Sequence, residues 1–129
     1  LLDQLKSNPR TRHIPVDIIS SSDFRRQAIE MGAVGYLMKP AKSEELKRAL
    51  SSLEKRTQHA LKRVLLVEDN QVQSESVQRL ISSESITVTI AASGQEALKA
   101  LKTETYDCLI LDLSLPDMDG FDVLERMTT

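Results

Sequence analysis

Two short runs of branched apolar residues end abruptly in carboxylates, and this feature constrains the fold of the chain more than any other. Residues 64–67 (VLLV) run into Glu68 and Asp69, and residues 108–111 (CLIL) run into Asp112. A third run, 16–19 (VDII), ends at Ser20. Each is short, almost continuously apolar, bounded by polar turns and followed by residues with helical spacing, which is the pattern of a strand buried on both faces of a parallel sheet. Residues 34–38 and 86–91 are weaker candidates. The second alternates through Thr87 and Thr89 and therefore suits a sheet edge. Five strands alternating with helices predict an α/β fold, a five-stranded parallel sheet with helices on both faces joined by right-handed crossovers.

Local signals place the helices. Ser22 and Asp23 precede a helix over 25–31, and Gly32 stands where a left-handed stop belongs. Ser43 opens another, with Glu44 and Glu45 in its first turn favouring the positive end of the helix dipole. Asn70 precedes a helix over 72–82, and Ser93 with Glu96 forms a capping-box pattern for one running to about Lys102. Leu46, Leu50 and Leu53 make one apolar stripe, and Val77, Leu80 and Ile81 another. Residues 1–7 and 120–127 also have helical patterns. The stretch 51–63 is polar, rich in Lys and Arg and free of Gly and Pro, and reads as a long helix tail or a helical linker.

Composition narrows the function. A length of 129 residues predicts one compact domain. A net charge of −2 and 3% aromatics supply neither a phosphate-neutralising face nor a stacking platform, so no direct nucleic-acid contact is expected. One cysteine, Cys108, allows neither an internal disulfide nor a Cys-rich zinc site. No apolar run has the length of a membrane span, so the expectation is a cytoplasmic domain without membrane contact. The chain opens at Leu1 inside an amphipathic segment, as a piece cut from a longer protein would.

In an open parallel sheet the functional crevice lies beyond the carboxyl ends of the strands. If the strands ending at Glu68, Asp69 and Asp112 are neighbours, three carboxylates converge there, and their repulsion raises their pKa values unless a cation sits among them. Mg²⁺ is suited to such a site, taking a few protein oxygens with water or phosphate. Singly, each acid is more often a helix cap; the convergence argues for metal. Ser20 offers a hydroxyl at a third strand end. Lys39 offers an ammonium at a fourth, held by the following Pro40, whose peptide bond is open to the cis form. Metal, carboxylate, hydroxyl and lysine together suit the transfer and holding of a phosphoryl group.

The segments VLLVEDN (64–70), YDCLILDLSLPDMDGFDVL (106–124), PVDIISSSD (15–23) and AVGYLMKPAKSEEL (33–46) resemble the response-regulator receiver domain of two-component signalling. The resemblance implies a flavodoxin-like fold with Asp112 as phosphoacceptor and Glu68 and Asp69 as the Mg²⁺-binding acid pair. It implies a metal ligand in the Ser114 carbonyl, Ser20 as switch hydroxyl, Tyr36 as switch aromatic and Lys39 as phosphate-binding lysine. The implied partner is a histidine kinase or histidine phosphotransfer domain.

The order of the segments departs from that family, because the Ser and Lys-Pro strands precede the acid-pair and phosphoacceptor strands. This predicts residues 1–58 as the C-terminal half of one receiver and 59–129 as the N-terminal half of the next, as at a junction of tandem receivers in a hybrid sensor histidine kinase. Residues 1–7 resemble the later part, and 120–127 the earlier part, of one helix. One copy of every strand is nevertheless present. The chain is thus expected to fold as a circular permutant, with a homodimer by half-domain exchange as the alternative. Rival functions are an interaction fragment without phosphotransfer and an aspartate-nucleophile phosphohydrolase, though the latter ordinarily needs an acid where this chain has Ser114. Enzymatic activity would amount at most to self-phosphorylation and slow autodephosphorylation, in a parent that could itself be a histidine kinase. His13 and His59 read as surface residues, Cys108 as a buried apolar group, and Met31, Met38 and Met127 as packing. Asp17, a charge in an apolar strand, reads as lying near a solvated strand start.

Overall fold

A computed structural model describes residues 14–40, 42–57, 60–82 and 85–128. The elements follow as β1 (Val16–Ser20), α1 (Arg25–Glu30), β2 (Gly35–Met38), α2 (Ser43–Thr57), β3 (Arg63–Val67), α3 (Gln71–Ile81), β4 (Thr87–Ala91), α4 (Gly94–Thr103), β5 (Cys108–Asp112) and α5 (Gly120–Thr128). All five strands form one parallel sheet in the order β2-β1-β5-β3-β4. This is the flavodoxin-like neighbour order entered at a different point of the chain, so the first two strands lie beyond the last. The alternating strand β4 occupies an edge, as its threonines predict.

Period-two alternation divides the apolar side chains between two cores. On one face Ile18, Tyr36, Leu65, Val67, Leu109 and Leu111 pack against Ala28 of α1, Ala97 and Leu101 of α4, and Val123 and Leu124 of α5. On the other, Ile19, Val64, Leu66, Cys108 and Ile110 meet the Leu46, Leu50 and Leu53 stripe of α2 and Ile81 of α3. Each such leucine contributes roughly 1.5–3 kcal/mol through removal of its surface from water. Burial also raises the pKa of the Cys108 thiol, fitting its role as a small apolar group.

Most start and stop signals act as expected. Asn70 Oδ1 accepts from Gln73 N–H at 3.0 Å and Ser93 Oγ from Glu96 N–H at 3.1 Å, while Gly32 takes φ 106. The start of α1 differs: its cap position is Phe24, without a side-chain cap bond. Ser22 lies two residues before that position and is tied through its backbone, its N–H donating to Ser20 Oγ and its carbonyl accepting from the Tyr36 hydroxyl, which draws the loop toward β2. Asp23 Oδ1 instead accepts from Arg25 N–H at 3.2 Å.

Asp17 is a second correction. It is buried, with 4% exposure, facing the α2 side of the sheet against Gly35 rather than a solvated strand start. An added Cβ on Gly35 would lie 2.0 Å from Asp17 Oδ1, so the glycine supplies the space that the carboxylate fills. Met38, at the end of its strand, is 38% exposed and packs less than expected, whereas Met31 packs on the first core. In the stretch 51–63, α2 stops at Thr57 and residues 60–62 are not helical. Leu61 is buried there in the second core, and Lys62 and Arg63 N–H both donate to Asp107 Oδ2 at 2.8 Å. The helix therefore ends before β3, which is what allows both halves of the chain to share one sheet. Residues 1–7, His13 and His59 lie outside the described residues, as does the side chain of Met127.

Candidate phosphoacceptor site

β5 is the central strand, and its register brings the strand ends together. Ile19 pairs with Asp112, Leu111 with Val67 and Ser20 with Met38. Glu68, Asp112, Ser20 and Lys39 thus leave the sheet at one rim. Lys39 is anchored by its own N–H to the Ser20 carbonyl at 2.7 Å, and the Lys39–Pro40 bond is cis. Its Nζ lies 2.9 Å from Asp112 Oδ2 and 2.9 Å from Glu68 Oε1, an ammonium between two buried carboxylates.

Glu68, Asp69 and Asp112 each offer a carboxylate oxygen within 4.8 Å of the others; Glu68 and Asp112 are buried and Asp69 is exposed. Three carboxylates and one ammonium leave an excess of negative charge. Burial pushes the Glu68 carboxyl up to about 7, with the hydrogen bond to Asp112 and the Asp112 charge adding and Lys39 opposing. Burial also works against the Lys39 ammonium, but the hydrogen bonds and charges of Glu68 and Asp112 outweigh it and hold the lysine above its ordinary value. Burial and the neighbouring Asp112 charge thus favour a proton at Glu68 in spite of the Lys39 ammonium. An all-oxygen donor set with one solvent-facing member fits Mg²⁺ better than a softer ion.

Ser114 follows as the second residue after Asp112. Its N–H donates to Asp112 Oδ1 at 3.1 Å, and it bridges to Asp119 across the loop. Ser20 is buried with its Oγ accepting from Ser22 N–H at 3.1 Å. Tyr36 is turned into the first core. Its hydroxyl accepts from Phe24 N–H at 2.8 Å and donates to the Ser22 carbonyl, and the Arg25 guanidinium lies 5.7 Å from its ring centre. The two switch candidates therefore grip the same β1–α1 loop. Phe24, from that loop, meets Phe121 of α5 edge to face at 6.0 Å. Sequence reasoning did not single out Phe24, Phe121 or Asp117, whose partners are remote in the chain.

The profile of the response regulator receiver domain matches residues 64–129, from the acid-pair strand to the end of the chain. The chain belongs to the receiver family. Similar proteins include the cell cycle response regulators CtrA of Brucella ovis, Brucella anthropi and Brucella canis. Each is 40% identical over 65 residues, covering 50% of this chain and 28% of the relative. The receiver thus spans under a third of the curated relatives it matches. No solved structure matches it. Receiver domains are phosphoacceptor modules of two-component signalling, interact with histidine kinases or phosphotransfer proteins, and generally use Mg²⁺ at the phosphorylation site. Among the described residues no helix is long and apolar enough to cross a membrane.

Proposed function

We propose that this receiver takes a phosphoryl group from a phosphohistidine onto Asp112 within a phosphorelay. The observation that carries the reading is the 2.9 Å contact of Lys39 Nζ with Asp112 Oδ2, which joins residues from the two halves of one chain. In the transfer, an Asp112 carboxylate oxygen attacks phosphorus, the P–N bond breaks, and its electron pair returns to the imidazole nitrogen. Lys39 then neutralises the oxygens of the acyl phosphate. Glu68, Asp69, Asp112 and the Ser114 carbonyl would hold Mg²⁺, which when bound would neutralise charge on the transferring group. Ser20 follows the phosphoryl oxygens, and because its hydroxyl and that of Tyr36 hold one loop, its movement alters the surface around α1 and Phe24.

In this reading residues 1–58 descend from the second half of one receiver and 59–129 from the first half of the next, together forming one receiver-like unit in a hybrid sensor histidine kinase. The domain is cytoplasmic, and a homodimer by exchanged halves would rebuild the same site between chains. Incubation with acetyl phosphate and Mg²⁺, read by intact mass, tests the function: wild type gains one phosphoryl group and Asp112→Asn gains none. Equal labelling of Asp112→Asn would reject the nucleophile, and failure of wild type to label would reject the phosphoacceptor reading.

A further inference from the structure

The loop that follows the phosphoacceptor strand is clamped at three points. At its start, Ser114 N–H donates to Asp112 Oδ1 at 3.1 Å. At its end, Gly120 N–H donates to the Leu113 carbonyl at 2.9 Å, and an added Cβ on Gly120 would lie 2.6 Å from the Asp112 carbonyl oxygen. The start of α5 therefore presses directly on the backbone of the nucleophile. The third clamp is at the apex and reaches a different element. Asp117 Oδ1 accepts from Gly94 N–H at 2.8 Å and its Oδ2 from Gln95 N–H at 2.9 Å, so one carboxylate takes two of the first free N–H groups of α4.

These two donors complement the third, Glu96 N–H, which Ser93 satisfies from within the helix's own chain segment. Hydrogen bonds from Gly94 and Gln95 depress the Asp117 carboxyl below its ordinary value, so it stays ionised through the neutral range. Beside it Met118 occupies the space that Gly94 leaves, since an added Cβ there would lie 2.3 Å from Met118 Cγ. Hydrogen bonding and packing thus address the same helix start from adjacent loop residues. Relaxing either frees the apex of a loop whose other end carries Ser114.

We propose that Asp117 is a positioning residue of the phosphoacceptor site, which uses the N-terminus of α4 as a fixed post to hold the Ser114 carbonyl where it meets the metal. The inference rests on the phosphoacceptor and Mg²⁺ reading of the rim given above. Asp117 touches no ligand and acts through the loop backbone between it and Ser114, so its loss is expected to weaken the metal by roughly tenfold, the low end of what losing a group bonded directly to a ligand costs. Met118 and Gly94 belong to the same device.

The test measures Mg²⁺ affinity by calorimetry and amide exchange in the metal-free protein for wild type, Asp117→Ala, Asp117→Asn and Gly94→Ala. Asp117→Ala is expected to weaken Mg²⁺ roughly tenfold, with Asp117→Asn in between because one carbonyl acceptor remains. Ser114 N–H is expected to lose protection together with Gly94 N–H, and acetyl phosphate labelling to recover at saturating Mg²⁺. Gly94→Ala, which displaces Met118 and leaves the carboxylate, is expected to act in the same direction, and it decides the matter if Asp117→Ala does not fold. Unchanged Mg²⁺ affinity with faster exchange confined to Gly94 and Gln95 would make Asp117 a helix cap alone and overturn the proposal. Mg²⁺ affinity and amide exchange do not depend on labelling, so a wild type that binds Mg²⁺ but takes no phosphoryl group overturns the phosphoacceptor reading instead.

Discussion

Glu68→Gln in metal-free buffer should make this protein more stable at pH 8 and much less so at pH 5. The carboxyl ordinarily titrates at 4.5, and burial beside Asp112 moves it to about 7 in the folded state. Its folded pKa lies above its unfolded one, so the associated stability is complete below about 4.5 and is lost as pH rises through about 7. Going from 4.5 to about 7 corresponds to a loss of about 3 kcal/mol by pH 8. Glutamine keeps the shape of the protonated acid and cannot ionise, so it escapes that loss, while its amide oxygen can still accept from Lys39. For a chain of this length the gain is equivalent to roughly 10 °C in Tm. Urea unfolding with a chelator, at intervals from pH 5 to pH 8, reads the gap directly. A gap that is absent at pH 8, or that is the same at every pH, would refute the argument. Millimolar Mg²⁺ should reverse the ranking, because the ion takes the place of the proton only where Glu68 can release it.

The remaining expectations are simpler. Neutralising Asp69 and Asp112 together should abolish Mg²⁺ binding by calorimetry, and in wild type the affinity should fall as pH drops below about 7, since protons compete at Glu68. Gly35→Ala should cost roughly 1–3 kcal/mol in denaturant unfolding through its collision with Asp17, whereas the double change with Asp17→Ala should recover part of that loss. Asn70→Ala should cost about 1 kcal/mol by leaving Gln73 N–H at the start of α3 without its side-chain acceptor.

The elements legible in the sequence were those whose cause is local. The apolar runs at β3 and β5 had to be buried strands, Thr87 and Thr89 marked an edge, and Asn70 and Ser93 carry their acceptors three residues from the donors they satisfy. The acids at strand ends were legible for the same reason, because each stands immediately after an apolar run. What escaped depended on distance along the chain. Asp117 is 23 residues from Gly94, and nothing in its neighbourhood distinguishes it from any turn aspartate. Ser22 looked like a helix cap, but the cap position falls at Phe24, in a loop tied to Tyr36, 14 residues on from Ser22. Asp17 looked near solvent because the one residue that makes room for it, Gly35, is remote in sequence.

The central position of β5 governs how such a chain can assemble as it leaves the ribosome. β1 with β2, and β3 with β4, can each pair as soon as they emerge, but among the described residues these two ribbons share no ladder; β5 supplies the strand pairing that links them. Until β5 emerges, β1 and β3 each present an open edge, and the partner of Val16 is Leu109, more than ninety residues away. Closing that span is entropically slow compared with local pairing. For all of that time the two edges offer a template to any other extended strand, so the nascent polypeptide passes through its most aggregation-prone form just before β5 emerges.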